Sequence, residues 1–268
     1  MNHRILSFYR PVVMGILNVT EDSFFDGGKY VNDAAVLHRA EQILKEGAGI
    51  IDIGAVSTRP GAAEVPLQEE WLRLQRPLQL ITKEFPEAII SIDTWRSEIA
   101  ERSVNAGASI INDISGGTFD ERMAEVIGRL HVPYVLMHTT TTPDKMQQQT
   151  LGENILAEMM QFFGYQIDKF IKAGCHDIIL DPGFGFGKTL EQNYFLLKNL
   201  PSFQIFNLPI LVGISRKSMI YKLLETDPDR ALNGTTVVNT IALLKGASIL
   251  RVHDVREAVE CVKIVDML

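Results

Sequence analysis

The stretch EGAGI at residues 46–50 decides the fold, because it has the pattern of a helix end followed at once by a strand. Similar joints occur as NAGAS at 105–109, KAGCH at 172–176 and KGAS at 245–248. A glycine just past a helix supplies the left-handed residue that ends it, and the next strand then begins. Four such joints predict a repeating unit of one strand and one helix.

Eight short apolar runs of strand type lack the polar alternation of a half-solvated sheet, so we expect parallel strands that are buried on both faces. The runs are residues 12–17, 49–53, 88–92, 109–111, 134–137, 177–180, 210–213 and 248–252. Helical spacing between them predicts helices that include 32–46, 66–83, 151–173 and 233–245. These units, without a linker, predict one α/β domain over residues 1–268, a (β/α)8 TIM barrel. A doubly wound open sheet is the alternative.

The composition narrows the classes of partner and compartment. A net charge of −7 gives no general basic field for nucleic acid or an anionic membrane. The two cysteines, Cys175 and Cys261, have no zinc-type spacing and fit a reducing compartment. No signal peptide and no apolar run of 18 residues is found, so we expect a cytoplasmic protein without a membrane partner.

Polar groups follow every predicted strand, at the end where barrels of this type carry their active sites. In chain order they are Asn18, Asp52, Asp93, Asn112, His138, Asp181, Ser215-Arg216-Lys217, and Arg251 with His253. Carboxylates and an amide suit the hydrogen-bonding edge of a heterocycle. The cations after the seventh and eighth strands, with Arg59 from the second loop, indicate an anionic substrate. Scattered surface ion pairs are the alternative interpretation.

The glycine-rich stretch DPGFGFGKT at 181–189 is not a nucleotide-binding loop. The phosphate-binding motif needs a glycine where this chain has Pro182, so an ATP-binding module is rejected. We expect Lys188 to be solvated at the start of the next helix. The long loops at about 18–30 and 54–65 are predicted to be mobile lids over the barrel mouth.

Seven motifs in order resemble the dihydropteroate synthase family of pterin-binding enzymes. They are MGILNVTEDSFFDGG, STRPGA, SIDT, INDISGG, LDPGFGFGKT, LVGISRKSMI and RVHDV, between Met14 and Val255. The resemblance implies a transferase of folate biosynthesis. It would join 6-hydroxymethyl-7,8-dihydropterin diphosphate to 4-aminobenzoate, giving 7,8-dihydropteroate and diphosphate. It also implies a homodimer through the late helices and a target of sulfonamides, which resemble 4-aminobenzoate.

The resemblance implies a role for each matching residue. Catalysis would rest on Asp93, Asp181, Lys217 and Arg251. The pterin would be held by Asp93, Asn112, Met137, Asp181, Phe186, Gly213 and Lys217. The diphosphate would be held by Asn18, Arg251 and His253, with Asn18 as ligand of a Mg²⁺ cofactor. The aminobenzoate side would be formed by Thr58, Arg59, Pro60 and Ser218.

Some positions depart from the family pattern. Glu21 stands where the family usually has proline, Val56 where it often has glutamate, and threonines at 139–142 follow His138. Two alternatives share the predicted pterin pocket: a methyltetrahydrofolate-binding methyltransferase and a non-catalytic pterin-binding protein. The motifs that argue against them are Ser57-Thr58-Arg59-Pro60 and Ser215-Arg216-Lys217-Ser218.

Overall fold

The computed structural model describes residues 6–19, 25–26, 30–56, 65–140 and 154–268. The strands of this part of the chain are β1 Val12–Asn18, β2 Phe25–Asp26, β3 Tyr30–Val31, β4 Ile50–Gly54, β5 Ile89–Asp93, β6 Ile110–Asp113, β7 Tyr134–Met137, β8 Ile178–Asp181, β9 Leu211–Val212 and β10 Ile249–Val252. The short strands β2 and β3 pair with each other in antiparallel fashion. The other eight form one sheet and correspond to the eight apolar runs of the sequence.

The eight-stranded sheet closes into a barrel. Its strands pair in parallel in the order β8-β7-β6-β5-β4-β1-β10-β9. The two ends of this order meet where the N–H of Leu180 donates to the carbonyl of Pro209 at 2.9 Å. Leu180 also forms a parallel bridge with Ile210, just before β9. The predicted (β/α)8 barrel is confirmed, and the open-sheet alternative is wrong.

Helices alternate with the strands around the outside. They are α1 Asp33–Lys45, α2 Leu67–Glu84, α3 Ser97–Asn105, α4 Met123–Leu130, α5 Ile155–Lys172, α6 Leu190–Lys198, α7 Ser218–Tyr221, α8 Leu232–Leu244 and α9 Val255–Val265, with 3₁₀ turns at Leu200–Phe206 and Pro228–Arg230. The glycines of the four repeated joints all have positive φ, between 95° and 109°. The chain therefore uses the same glycine-dependent turn to leave each of these helices.

The barrel interior has an apolar layer below and a polar layer above. One buried cluster consists of Met14, Ile50, Ile110, Val135, Ile179, Leu211 and Ile249, with Leu6 and Phe8 packed against it. Side chains in a strand alternate between the two faces. The next inward residue after Ile50 is therefore Asp52, after Ile110 it is Asn112, and after Ile179 it is Asp181. This two-residue step places the polar side chains at the carboxyl ends of the strands.

Candidate active site

Arg251 joins two carboxylates inside the barrel mouth. From β10 it donates through Nε to Asp52 Oδ2 on β4 at 2.6 Å, and through Nη2 to Asp93 Oδ2 on β5 at 2.7 Å. Burial raises the pKa of Asp93 to about 7, and the positive charge of Arg251 opposes this shift. The guanidinium is therefore fixed by two neighbouring strands before any ligand binds.

Asn112 belongs to the same network. Its Nδ2 donates to Asp52 Oδ2 at 3.0 Å, so this one oxygen serves both the amide and the guanidinium. Asp93 and Asn112 are register partners on β5 and β6, which brings their side chains to the same level of the barrel. The network thus connects inward side chains from four strands.

Asp181 and Lys217 face each other on the opposite side of the mouth. The N–H of Gly183 donates to Asp181 Oδ1 at 2.7 Å. Burial raises the pKa of Asp181, and the charge of Lys217 is the largest influence against that. Burial lowers the pKa of Lys217 to about 8, while its ammonium donates to the carbonyl of Phe184 and lies 4.5 Å from the centre of the Phe186 ring.

The loop after β8 depends on a glycine and on an internal lysine. Gly183 has φ of 68°, and a Cβ there would lie 2.0 Å from the carbonyl oxygen of His138. The prediction that Lys188 is solvated is wrong. Its Nζ donates to the carbonyls of Gly183 at 2.9 Å and Phe186 at 3.0 Å, and lies 3.3 Å from His138 Nδ1. Burial lowers the pKa of Lys188 to about 7.

His253 is held by Ser215 at the adjacent strand ends. Ser215 Oγ lies 3.0 Å from His253 Nδ1 and accepts from the backbone N–H of His253 at 3.2 Å. The Ser215 hydroxyl can donate its own proton to Nδ1, and in that tautomer the ring carries its proton on Nε2. Burial lowers the pKa of His253 to about 4.

Arg216 does not join the cations of the mouth, although the sequence grouped it with them. It pairs with Asp254 through Nε at 2.9 Å and Nη2 at 2.8 Å. Its backbone has φ of 55°, a left-handed conformation that is uncommon for a residue with a side chain. The fork geometry makes Arg216 a structural clamp between the ends of β9 and β10.

The other predicted residues fall into two groups. Met137 is buried at the end of β7, and a Cβ on Gly213 would lie 3.9 Å from Lys217 Nζ, so both adjoin the pocket. Ser218 is half-buried as the first residue of α7. Thr58, Arg59 and Pro60, together with Glu21, lie outside the described residues, as does most of both predicted lid loops.

The oxygen donors at the mouth suit a hard cation that shares its ligands with a substrate. Asn18 is exposed at the end of β1, and a Cβ built on Gly54 would lie 3.4 Å from its Oδ1 and 3.7 Å from Asp93 Oδ2. No cluster of three or more His, Cys, Asp or Glu side chains that could hold a metal occurs in the described part of the chain. Mg²⁺ does not need such a cluster, because it is usually bound by one or two protein oxygens together with substrate phosphates. The side-chain oxygen of Asn18 is therefore suited to this ion.

Three contributions were missed by the sequence: Asp52 as the centre of the network, Lys188 as the anchor of a loop, and Ser215 as the partner of His253. The inward direction of Asp52 could have been predicted, because it lies two residues beyond the inward-facing Ile50. The roles of Lys188 and Ser215 had none, since each contacts residues on another element of the barrel.

The arrangement can bind a heterocycle beside an anion. The buried oxygens of Asp93, Asn112 and Asp181 accept hydrogen bonds, while Lys217 and Arg251 supply positive charge at the same level. A ring that carries N–H donors and a negatively charged substituent matches this pocket. The fold and the site thus define a barrel enzyme that acts on a polar heterocycle.

Comparison with known proteins identifies the family. The sequence model of the pterin-binding enzymes matches residues 14–253. Dihydropteroate synthase of Escherichia coli K12 is 43% identical over 263 residues, covering 97% of this chain and 93% of that protein. The Yersinia pestis dihydropteroate synthase in complex with a sulfonamide drug has a TM-score of 0.92 at 42% identity, covering 98% of this chain and 95% of that one. The Xanthomonas albilineans dihydropteroate synthase with 4-aminobenzoic acid has a TM-score of 0.90 at 36% identity, covering 98% of this chain and 95% of that one. The chain belongs to the pterin-binding enzyme family and, within it, to the dihydropteroate synthases.

Proposed function

We propose that the protein joins 6-hydroxymethyl-7,8-dihydropterin diphosphate to 4-aminobenzoate, forming 7,8-dihydropteroate and diphosphate in folate biosynthesis. The observation that carries this is the pairing of three buried hydrogen-bond acceptors with two half-buried cations. Asp93, Asn112 and Asp181 provide acceptors for the amino and ring N–H groups of a pterin, and Lys217 and Arg251 lie beside them. A relative with 4-aminobenzoic acid bound supports the second substrate.

The protein's part in the reaction is mainly electrostatic. The bond between the pterin methylene and the diphosphate oxygen breaks first, and the aryl amine then attacks the methylene and loses a proton. Negative charge grows on the leaving diphosphate, where groups that are already oriented stabilise it best. Asp93 and Asp181, within the pocket, stabilise the electron-poor ring that remains.

The diphosphate is held by Asn18, Arg251 and His253. Arg251 uses Nε and one N–H of Nη2 within the barrel, which leaves Nη1 and the second N–H of Nη2 as donors for an oxyanion. His253, with Nδ1 occupied by Ser215, offers its Nε2–H. Asn18 Oδ1 would hold a Mg²⁺, and that ion would supply further positive charge to the diphosphate.

The 4-aminobenzoate side includes Ser218, with Thr58, Arg59 and Pro60 contributed by the loop outside the described residues. We expect sulfonamides to compete with 4-aminobenzoate there, and the complex of the Yersinia pestis relative with such a drug supports this. A competition experiment against each substrate separately would locate the inhibitor. Competition against the dihydropterin substrate alone would contradict the assignment.

A coupled diphosphate-release assay tests the function. With both substrates and Mg²⁺ we expect turnover that requires 4-aminobenzoate, and we expect Lys217→Ala to abolish it. Chelating the metal should reduce turnover and restoring Mg²⁺ should recover it. A methyltransferase-like enzyme or a non-catalytic binder would release no diphosphate, so absence of release from the native protein would overturn the proposal.

The exposed apolar side chains of the last helices support a homodimer. Val237 and Leu244 on α8 are 50% and 58% exposed, and Ile264 on α9 is 64% exposed. Val237 and Leu244 are seven residues apart and share one helix face. We expect sedimentation to show a dimer that Val237→Glu dissociates, whereas Leu72→Glu on α2, also exposed, leaves it intact. A monomeric native protein would contradict this.

A cytoplasmic location is proposed on two observations. Cys175 and Cys261 are both free and buried, as expected in a reducing compartment. Within the described residues, no helix has the length and apolar content needed to cross a membrane. Fractionation of cells that express the chain tests the location directly.

A further inference from the structure

Asp52 is completely buried, and its two carboxylate oxygens have different surroundings. Oδ2 accepts from Arg251 Nε at 2.6 Å and from Asn112 Nδ2 at 3.0 Å. Oδ1 is buried and has no hydrogen-bond partner among the described residues. One oxygen therefore organises two side chains that face the substrate pocket, while the other contributes no hydrogen bond.

The contact with Asp52 determines which way the Asn112 amide faces. A guanidinium has no acceptor, so the Asp52 oxygen that it meets is itself an acceptor. The same oxygen must then receive the NH₂ of Asn112 rather than its carbonyl. The amide oxygen of Asn112 is thereby turned away from Asp52. Asn112 offers the pocket an acceptor in this orientation, and it would offer two donors in the opposite one.

Asp52 does more than neutralise Arg251. A pairing for charge alone would commonly be bidentate, with two guanidinium nitrogens on one carboxylate. Here the guanidinium gives one nitrogen to Asp52 and another to Asp93, so its plane is set by two strands. The unpaired Oδ1 is a destabilising feature that an apolar side chain at this position would avoid.

We propose that Asp52 is a positioning residue that fixes Asn112 with its amide oxygen toward the substrate, and so selects a heterocycle with N–H donors on that edge. The inference rests on the proposed function, since the heterocycle is the pterin. A pterin carries a 2-amino group, which donates, whereas the matching lumazine carries a 2-oxo group, which accepts. The ratio of their affinities therefore reports the orientation of the pocket's acceptors.

The test compares the dissociation constants of 6-hydroxymethylpterin and 6-hydroxymethyllumazine. The native protein should prefer the pterin. Asp52→Leu should reduce the preference by roughly tenfold, because an apolar side chain of similar size offers Asn112 no acceptor and no longer fixes its amide. In the same variant, KM should rise for dihydropterin diphosphate and stay unchanged for 4-aminobenzoate.

Two further variants separate positioning from packing. Ser91→Ala is the matched control, because Ser91 is the register partner of Asp52, is equally buried, and has an Oγ without a partner in the described structure. It should keep the native ratio. Asp52→Asn is the conservative variant, whose amide oxygen can still accept from both Arg251 and Asn112, so it should keep most of the preference.

The outcomes are distinct. A native ratio in Asp52→Leu, or a loss in Ser91→Ala as large as in Asp52→Leu, overturns the role of Asp52. If Asp52→Leu does not fold, Asp52→Asn decides: a retained pterin preference supports the proposal and a lost one overturns it. Failure of the proposed function would appear separately, as absence of diphosphate release from the native protein.

Discussion

The ammonium of Lys217 lies 4.5 Å from the centre of the Phe186 ring, at the mouth of the barrel. The lysine precedes α7 and the phenylalanine belongs to the loop after β8. Contact with a ring face favours the charged ammonium, while burial disfavours it. Burial is the largest influence on the pKa of Lys217 and lowers it to about 8, against the attraction of Asp181. The site therefore contains a cation that titrates close to neutral pH.

Replacing Lys217 with arginine should move the alkaline limb of the pH–rate profile. In the native protein, kcat/KM should fall as pH rises through about 8, because the lysine loses its proton. A guanidinium stays charged throughout this range, so Lys217→Arg should shift the fall to higher pH even if the rate is lower. Lys222→Arg, at an exposed position just beyond α7, should leave the limb unchanged. An unmoved limb in Lys217→Arg would assign the titration to another group.

Phe186→Leu should weaken binding of the dihydropterin substrate. It removes a cation–π contact of about 0.5–2 kcal/mol, which corresponds to a rise in KM of roughly two- to thirtyfold. The variant is measured by steady-state kinetics at saturating 4-aminobenzoate. Phe195→Leu, on the solvent side of α6, is the matched control and should have native KM. If both variants behave alike, the ring does not act through Lys217.

Lys188→Met should disturb the loop after β8. The carbonyls of Gly183 and Phe186 lose their ammonium donor. Buried groups left without a partner cost about 1–3 kcal/mol each, so we expect a lower midpoint of thermal unfolding together with a higher KM for the dihydropterin substrate. Lys198→Met, at the exposed end of α6, should change neither. Native stability in Lys188→Met would mean that water replaces the lysine at little cost.

The protein should lose stability in mild acid partly through His138. Burial is the main reason that the pKa of His138 falls from 6.5 to about 2. Below pH 6.5 the unfolded chain takes up a proton here that the folded protein does not, so the free energy of unfolding decreases as pH falls. The maximum slope for one group is about 1.4 kcal/mol per pH unit.

Urea unfolding at pH 7 and pH 5 measures this effect. The difference between the two pH values should be smaller in His138→Gln than in the native protein. His176→Gln, at an exposed position, should keep the native difference. An equal difference in all three proteins would show that other groups dominate acid unfolding.

The strands and the repeated helix ends were predictable because they depend on local pattern. Each joint glycine lies in the left-handed region that the sequence indicated, and the interior positions follow a two-residue period. Helix boundaries were less predictable than the elements themselves: the helix predicted from residue 151 is Ile155–Lys172 in the structure. The short α7, of four residues, could not be bounded from its pattern because one turn has no measurable periodicity.

The partners of individual side chains were not predictable from spacing. The sequence predicts a solvated side chain for Lys188. The loop instead folds so that its ammonium donates to the carbonyls of Gly183 and Phe186. The sequence predicts that Arg216 is one of the cations of the site. Its backbone is left-handed, and its side chain pairs with Asp254 instead. Both errors have the same origin, since the direction of a side chain is set by backbone turns that neighbouring residues in sequence do not reveal.

The sequence by itself determined the barrel and the polar group at the end of each strand, because apolar periodicity and glycine turns are local properties of the chain. Only the tertiary structure decided how those groups pair. Arg251 and Asp52 are 199 residues apart in sequence, and they meet because β10 and β4 both flank β1 in the closed sheet. Hydrogen bonds are directional and short, so the orientation of Asn112 and Arg251 follows from barrel closure and register.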